Sequence, residues 1–198
     1  EENPNVVVLS ADVSSSTHCH LFAEKFPARF FQVGISEQNL AGVAAGLAMS
    51  GKIPFIAAYA VFSPGRNWEQ IRTMIAYNDA NVKIAGHHAG LLTGYDGATH
   101  QALEDIALMR ILPNMKVVVP ADALEAEKAT LATTKISGPV YLRLAREKTH
   151  VFTTPDTPFI PGKAEVFWES KKSQVLIVGC GPVLYNALLA ADELEKEK

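Results

Sequence analysis

The stretch Gly34-Ile35-Ser36-Glu37-Gln38-Asn39 decides how this chain folds, because it joins two apolar runs of different period and sets one carboxylate at the junction. Phe30-Phe31-Gln32-Val33, before it, reads as a strand. After it, Leu40, Val43, Ala44 and Leu47 keep helical spacing, with Ser36 placed as the N-cap. Glu37 therefore falls in the first turn of a helix at the carboxyl end of a strand. That helix reads as wholly buried, and Gly42 and Gly46 share a face where another backbone, from this domain or a partner chain, can approach closely. Taken alone, Glu37 reads first as a helix-start acid favoured by the macrodipole, and only the motifs that follow turn it into a functional centre.

The rest of the chain repeats the strand-then-helix pattern. Asn5 to Asp12 is a short β-branched run ending in polar residues that reads as a buried parallel strand and a loop, followed by hydroxyls at Ser14, Ser15, Ser16 and Thr17. Those hydroxyls suit either a binding loop or a helix cap. Ile53 to Tyr59 is a third strand, and a helix follows through Trp68, Ile71, Arg72 and Ile75. Val82 to Gly86, Met115 to Val119 and Pro139 to Leu144 complete six strands, with helices through Leu103, Ile106, Ala107 and Met109 and over Ala123 to Thr134. Strands alternating with helices of about a dozen residues predict an α/β fold: a six-stranded parallel sheet covered by helices on both faces.

Prolines at 155, 158 and 161 mark residues 149–162 as a linker between a domain over residues 1–148 and a further segment, 163–198. In that segment Ala164 to Trp168 and Val175 to Gly179 read as strands and Val183 to Leu194 as a helix. So short a piece cannot close its own core, and it reads as the first part of a second α/β domain. Gly179-Cys180-Gly181 is a weak phosphate-loop signal, of a kind common in α/β turns.

Composition narrows the function. The 198 residues are 48% hydrophobic with a formal charge of −3, acids and bases interspersed, which predicts a globular protein without a nucleic-acid face. Cys19 and Cys180 are far apart and lack metal spacing, so a reducing, cytoplasmic setting is expected. No apolar run reaches the roughly 18 residues that span a bilayer, and no membrane association is expected.

The chemistry concentrates at the carboxyl ends of the strands, where open α/β sheets place ligands. His87 to Gln101 is the richest loop, carrying three histidines and Asp96 among glycines. Imidazoles there can donate, accept or move protons near neutral pH. A surface Asp turn is the plain alternative. The spacings of His88, Asp96 and His100 match no standard zinc pattern, and no metal ligand is assigned.

Three motifs in order carry a resemblance: Gly34 to Asn39; Tyr59 and Phe62 before Gln70-Ile71-Arg72; and Asp96-Gly97-Ala98-Thr99-His100-Gln101. The chain resembles transketolases, over residues 1 to about 150 as the pyrimidine-binding domain and from about 163 as the start of the C-terminal domain. It looks like the separately encoded C-terminal half of split transketolases. The resemblance implies thiamine diphosphate chemistry, in which a two-carbon ketol unit passes from a ketose phosphate to an aldose phosphate and the cofactor carries the difficult step.

By that resemblance Glu37 and His100 are catalytic, Glu37 hydrogen-bonding the pyrimidine ring, while Tyr59 and Phe62 pack against the cofactor. Ser16, His88, Asp96, His100 and Arg146 contact substrate, with Arg146 and Ser16 at the sugar phosphate. Tyr59 stands where phenylalanine is more usual, Ala98 where proline is common, and the Ser63-Pro64-Gly65 turn has an extra residue. The Gly-Asp-Gly signature that holds Mg²⁺ and the diphosphate in such enzymes is absent. An N-terminal transketolase subunit is therefore expected to provide it, in a heterotetramer or in a homodimer formed through the pyrimidine domain.

Three alternatives stay open. Deoxyxylulose-phosphate synthase shares the Asp-Gly-x-Thr-His-Gln pattern but is expected to carry arginine near His88. The beta subunit of 2-oxoacid dehydrogenases lacks this histidine-aspartate loop. A non-catalytic regulatory homologue would have no use for Glu37, Asp96, His100 and Arg146 together.

Overall fold

A computed structural model describes residues 3–197. Its frame is a six-stranded, all-parallel sheet built from β1 (Val6–Ser10), β2 (Phe30–Gln32), β3 (Ile53–Tyr59), β4 (Lys83–His87), β5 (Lys116–Val118) and β6 (Val140–Arg143), in the spatial order β2-β1-β3-β4-β6-β5. The helices are α1 (His20–Lys25), α2 (Glu37–Met49), α3 (Trp68–Gln70), α4 (Asp105–Arg110), α5 (Ala123–Thr133) and α6 (Leu184–Lys196). The predicted architecture is thus the observed one.

Successive strand residues face opposite sides of a sheet, so consecutive burial shows that both sides are covered. Ile56, Ala57 and Ala58 in β3 are all buried, as are Ile84 and Ala85 in β4. The core gathers Leu9, Leu40, Ile56, Ile71, Ile75, Ile84, Met109 and Tyr141. Gly86 is required beneath Tyr141: a Cβ there would lie 2.3 Å from the Tyr141 hydroxyl oxygen. That hydroxyl donates to Asp105 Oδ2 at 2.7 Å, and Arg143 Nε donates to the same oxygen at 2.7 Å. Burial and then the Asp105 charge push the Tyr141 pKa well above its ordinary value.

Four local expectations change. Helix α2 is buried only on one side: Leu40, Ala41, Ala44 and Ala45 face the core, while Val43, Gly46 and Met49 are exposed. Of the two glycines, Gly42 faces the Met74 sulfur and Gly46 faces open space. Ser36 does occupy the N-cap, but its hydroxyl donates to the Val33 carbonyl at 2.8 Å instead of accepting from the helix. The helix through Trp68 widens after Gln70 into a π-helix over Ile71–Ala76, with Tyr77 N donating to Arg72 O at 3.0 Å.

The fourth change concerns residues 163–198. Neither Ala164 to Trp168 nor Val175 to Gly179 forms a strand, and Leu176 is 85% exposed. A strand needs a neighbour for its N–H and C=O groups, and among the described residues no neighbouring strand is paired with either run. Helix α6 forms as predicted, because its hydrogen bonds are internal. The proline-rich stretch before it is fastened at its start. Asp122, the N-cap of α5, accepts from Glu125 N, Phe152 N, Thr153 N and the Thr153 hydroxyl, and Lys128 Nζ donates to Thr154 O at 2.6 Å and Thr157 O at 2.5 Å.

Candidate functional site

Parallel strands point all their carboxyl ends the same way, so the loops after β1, β2, β3, β4 and β6 gather along one edge. From β1 the chain leaves toward β2, and from β3 it leaves the other way, toward β4. Such a divergence opens a crevice between the two strands. Residues as far apart in sequence as Ser15 and Arg146 meet around it.

Glu37 opens α2 and is 3% exposed. Its carboxylate is held by Arg66, whose Nη1 donates to Oε2 at 2.8 Å. Its carbonyl accepts from Asn67 Nδ2 at 3.0 Å; Asn67 is fully buried and also donates to the Ser63 hydroxyl at 3.1 Å. The short loop after β3 therefore clasps the start of α2. Gly65 lets that loop turn tightly, since a Cβ there would stand 1.9 Å from the Val61 carbonyl oxygen.

The aromatic residues after β3 form a stack. Register pairs Tyr59 with His87, which brings the next residue, His88, alongside the tyrosine. The His88 and Tyr59 rings are parallel with centroids 4.1 Å apart, Tyr59 and Phe62 are 6.2 Å apart at 15°, and His100 meets Phe62 edge-on at 5.5 Å. The Arg66 guanidinium covers the Phe62 ring at 4.6 Å. One line of contacts thus runs from His88 to Glu37.

Asp96 and Arg146 pair with each other, Nη1 to Oδ2 at 2.9 Å. Arg146 also donates to Thr93 O at 3.0 Å and to the Tyr95 hydroxyl, and its guanidinium lies 4.1 Å over the Tyr95 ring. Beside this clamp lies a cleft of about 370 Å³ lined by Ser15, Ser16, His18, His87, His88 and Arg146. The cleft-facing serines leave α1 uncapped by a side chain, so the capping alternative for that cluster is not realised.

His88 is buried, yet its Nδ1 has no hydrogen-bond partner. A buried imidazole nitrogen without a partner is costly and marks a place where a ligand atom can complete the set. Burial and then the nearby Arg146 charge lower its pKa, with Asp96 opposing. His87 is lowered to about 4, first by burial and then by His88 and His18. Both rings are therefore neutral at pH 7 and can accept as well as donate. His18 and His88 each hold a left-handed backbone, φ 58° and 56°, a conformation non-glycine residues adopt rarely and mostly under functional constraint.

All eight residues singled out in the sequence, namely Ser16, Glu37, Tyr59, Phe62, His88, Asp96, His100 and Arg146, lie on this edge. Sequence reading missed Arg66, His18 and His87 as parts of it. His87 stood in a quoted motif, but nothing in the sequence marks Arg66 as the partner of a carboxylate 29 residues earlier. Among the described residues no cluster of three or more His, Cys, Asp or Glu side chains is placed to hold a metal ion, and no helix is long and apolar enough to cross a membrane.

Residues 1–151 match the model of the transketolase pyrimidine-binding domain. The chain is 41% identical over 194 residues to a putative transketolase C-terminal section of Methanocaldococcus jannaschii, covering 97% of this chain and 61% of that protein. It is 35% identical over 194 residues to a 6-deoxy-6-sulfo-D-fructose transketolase subunit, SqwH, of a Clostridium species, covering 98% of this chain and 60% of that protein. A solved structure described as a split gene transketolase, inactive beta4 tetramer, superposes with a TM-score of 0.88 at 52% identity, covering 99% of this chain and 63% of that one. The chain thus spans about three-fifths of these relatives. The family model, the parallel sheet and the ordered motifs from Glu37 to His100 agree, and the chain belongs to the transketolase family as a C-terminal half, opening with the pyrimidine-binding domain.

Proposed function

We propose that this chain, joined to an N-terminal transketolase subunit, transfers a two-carbon ketol unit from a ketose phosphate to an aldose phosphate with thiamine diphosphate and Mg²⁺. The observation that carries the proposal is the buried carboxylate of Glu37 at the crevice, linked through Arg66 to the half-buried ring of Phe62. Such a site suits a flat heterocycle that stacks on a ring and hydrogen-bonds an acid. Bound thiamine diphosphate supplies the electron sink for cleaving the ketose carbon–carbon bond. Glu37 holds or releases a proton at its Oε atoms toward the pyrimidine, and Phe62 and Tyr59 orient the ring. His88 Nδ1 and His100 accept or donate hydrogen bonds at sugar hydroxyls, and Arg146, with Ser16 across the cleft, binds the substrate phosphate.

The chain carries no Gly-Asp-Gly signature, the element expected to hold Mg²⁺ and the diphosphate, and we assign both to the partner half. A relative described as inactive and as a beta4 tetramer is in keeping with activity that requires another subunit. A heterotetramer is the simplest closed assembly of two such halves. The free thiols Cys19 and Cys180 suit a reducing cytoplasm, and the proposed ketol transfer would serve the pentose phosphate pathway.

The test is an assay of the reconstituted pair with xylulose 5-phosphate plus ribose 5-phosphate and, separately, with pyruvate plus glyceraldehyde 3-phosphate. Reaction of the first pair supports transketolase activity. Reaction of the second pair alone points to a deoxyxylulose-phosphate synthase, and reaction of neither, with cofactor bound, points to a regulatory homologue.

A further inference from the structure

Burial sets a physical requirement on Glu37. A carboxylate whose side chain is 4% exposed needs a counter-charge or hydrogen-bond donors, because an uncompensated buried charge is strongly destabilising. Arg66 meets that need in a particular way. Its Nη1 is 2.8 Å from Glu37 Oε2, and the same guanidinium lies 4.6 Å over the face of Phe62. A flat, charged, hydrogen-bonding group therefore stacks on one aromatic ring and bonds one acid.

Those are the two contacts the cofactor reading assigns to the pyrimidine. We propose that Arg66 is a placeholder: its guanidinium occupies the Phe62–Glu37 gap in the cofactor-free chain, and the entering pyrimidine displaces it. This inference rests on the thiamine diphosphate reading given above.

Two further features make the exchange workable. The side-chain exposures are unequal, 48% for Arg66 against 4% for Glu37, so the cation can swing into water while the acid stays. The backbone need not follow. Arg66 N is tied to Phe62 O at 2.8 Å, and the neighbouring Asn67 is fully buried and bonded to Glu37 O and to Ser63. The loop therefore keeps its hold on the start of α2 when the side chain leaves. The device protects a buried acid until cofactor is present, at the cost of some cofactor affinity.

That cost is what an experiment can read. When only a fraction of molecules is binding-competent, the apparent affinity falls by that fraction, and removing the competing state restores it. The full-length subunit carrying Arg66→Gln, assembled with the N-terminal half, should bind thiamine diphosphate with Mg²⁺ roughly three- to tenfold more tightly than wild type by calorimetry. The same substitution should lower the melting temperature of the cofactor-free subunit, since Glu37 loses its partner. A merely structural ion pair predicts weaker binding together with lower stability, whereas a placeholder makes the two readouts move in opposite directions. Should the Gln variant not fold, Arg66→Lys retains the charge without the planar stack, and tighter binding than wild type is expected of it as well. Equal or weaker cofactor binding by the folded variant, with wild type binding normally, overturns the placeholder. Absence of binding by both complexes overturns the cofactor reading, and the placeholder with it.

Discussion

Arg146 and Asp96, fifty residues apart in sequence, meet beside the cleft as an ion pair of 2.9 Å, each about one-fifth exposed. The arginine assigned to a substrate phosphate is thus already oriented, by Asp96 on one side, by the Thr93 carbonyl on another and by the Tyr95 ring beneath. Such a guanidinium is pre-organised: it loses little freedom when an anion arrives, but it must share its donors with Asp96.

Arg146→Lys should therefore raise KM for the ketose phosphate in the reconstituted enzyme by about tenfold or more, with a smaller change in kcat. Lysine keeps the charge but cannot serve carboxylate, carbonyl and phosphate at once. Steady-state kinetics with a phosphorylated donor and with a non-phosphorylated ketose separate the two effects: the penalty should vanish with the non-phosphorylated one.

Replacing Glu37 by Gln should abolish ketol transfer while leaving circular dichroism intact. The amide still fits at the start of α2 and can still accept from Arg66, but it cannot share a proton as the acid does. The loss in kcat should exceed that of Asp96→Ala. A kcat within about tenfold of wild type, a barrier change of only about 1.4 kcal/mol, would remove Glu37 from its role.

Acid stability should carry a signature of His87. Its pKa is lowered to about 4 in the fold against 6.5 ordinarily, so between those values the unfolded chain binds the proton and the folded one does not. The neutral ring is tolerated at pH 7, and stability should fall as pH drops from about 6.5 toward 4. In His87→Gln that slope should flatten, as read by urea midpoints across the range.

Asp122 should act lower on the pH scale. Burial works to raise its pKa, but hydrogen bonds from Glu125, Thr153 and Phe152 outweigh it and hold the value below 3.8. Its contribution is complete above about pH 4 and is lost as pH falls through the folded value. Asp122→Ala removes the α5 N-cap, about 1 kcal/mol by itself, and frees residues 152 and 153. Limited proteolysis should then cut within 152–157 faster than in wild type at neutral pH.

Gly86→Ala should destabilise the domain by roughly 1–3 kcal/mol or more, through overpacking against Tyr141. Tyr141→Phe should not rescue it, because ring carbons would remain 2.6 and 2.7 Å from the new Cβ. Thermal denaturation of the two single variants and the double variant checks this.

What the sequence determined by itself is the part of this protein that is local. Six strands, the start of α2 at Glu37 and the loops carrying His88, Asp96, His100 and Arg146 follow from short-range periodicity and from where glycine and proline interrupt it. Parallel pairing then forces those loops onto one edge, so the site's general location was legible too. The tertiary structure alone decided which side chains meet. Glu37 finds Arg66 across 29 positions, Asp96 finds Arg146 across 50, and His18 joins His87 and His88 from a different loop. Those distances in sequence carry no periodic signal, and each pairing depends on the direction a side chain takes from its backbone. The same reason separates Val175 to Gly179 from α6: a helix satisfies its backbone internally, whereas a strand forms only where the fold supplies a neighbour to pair with.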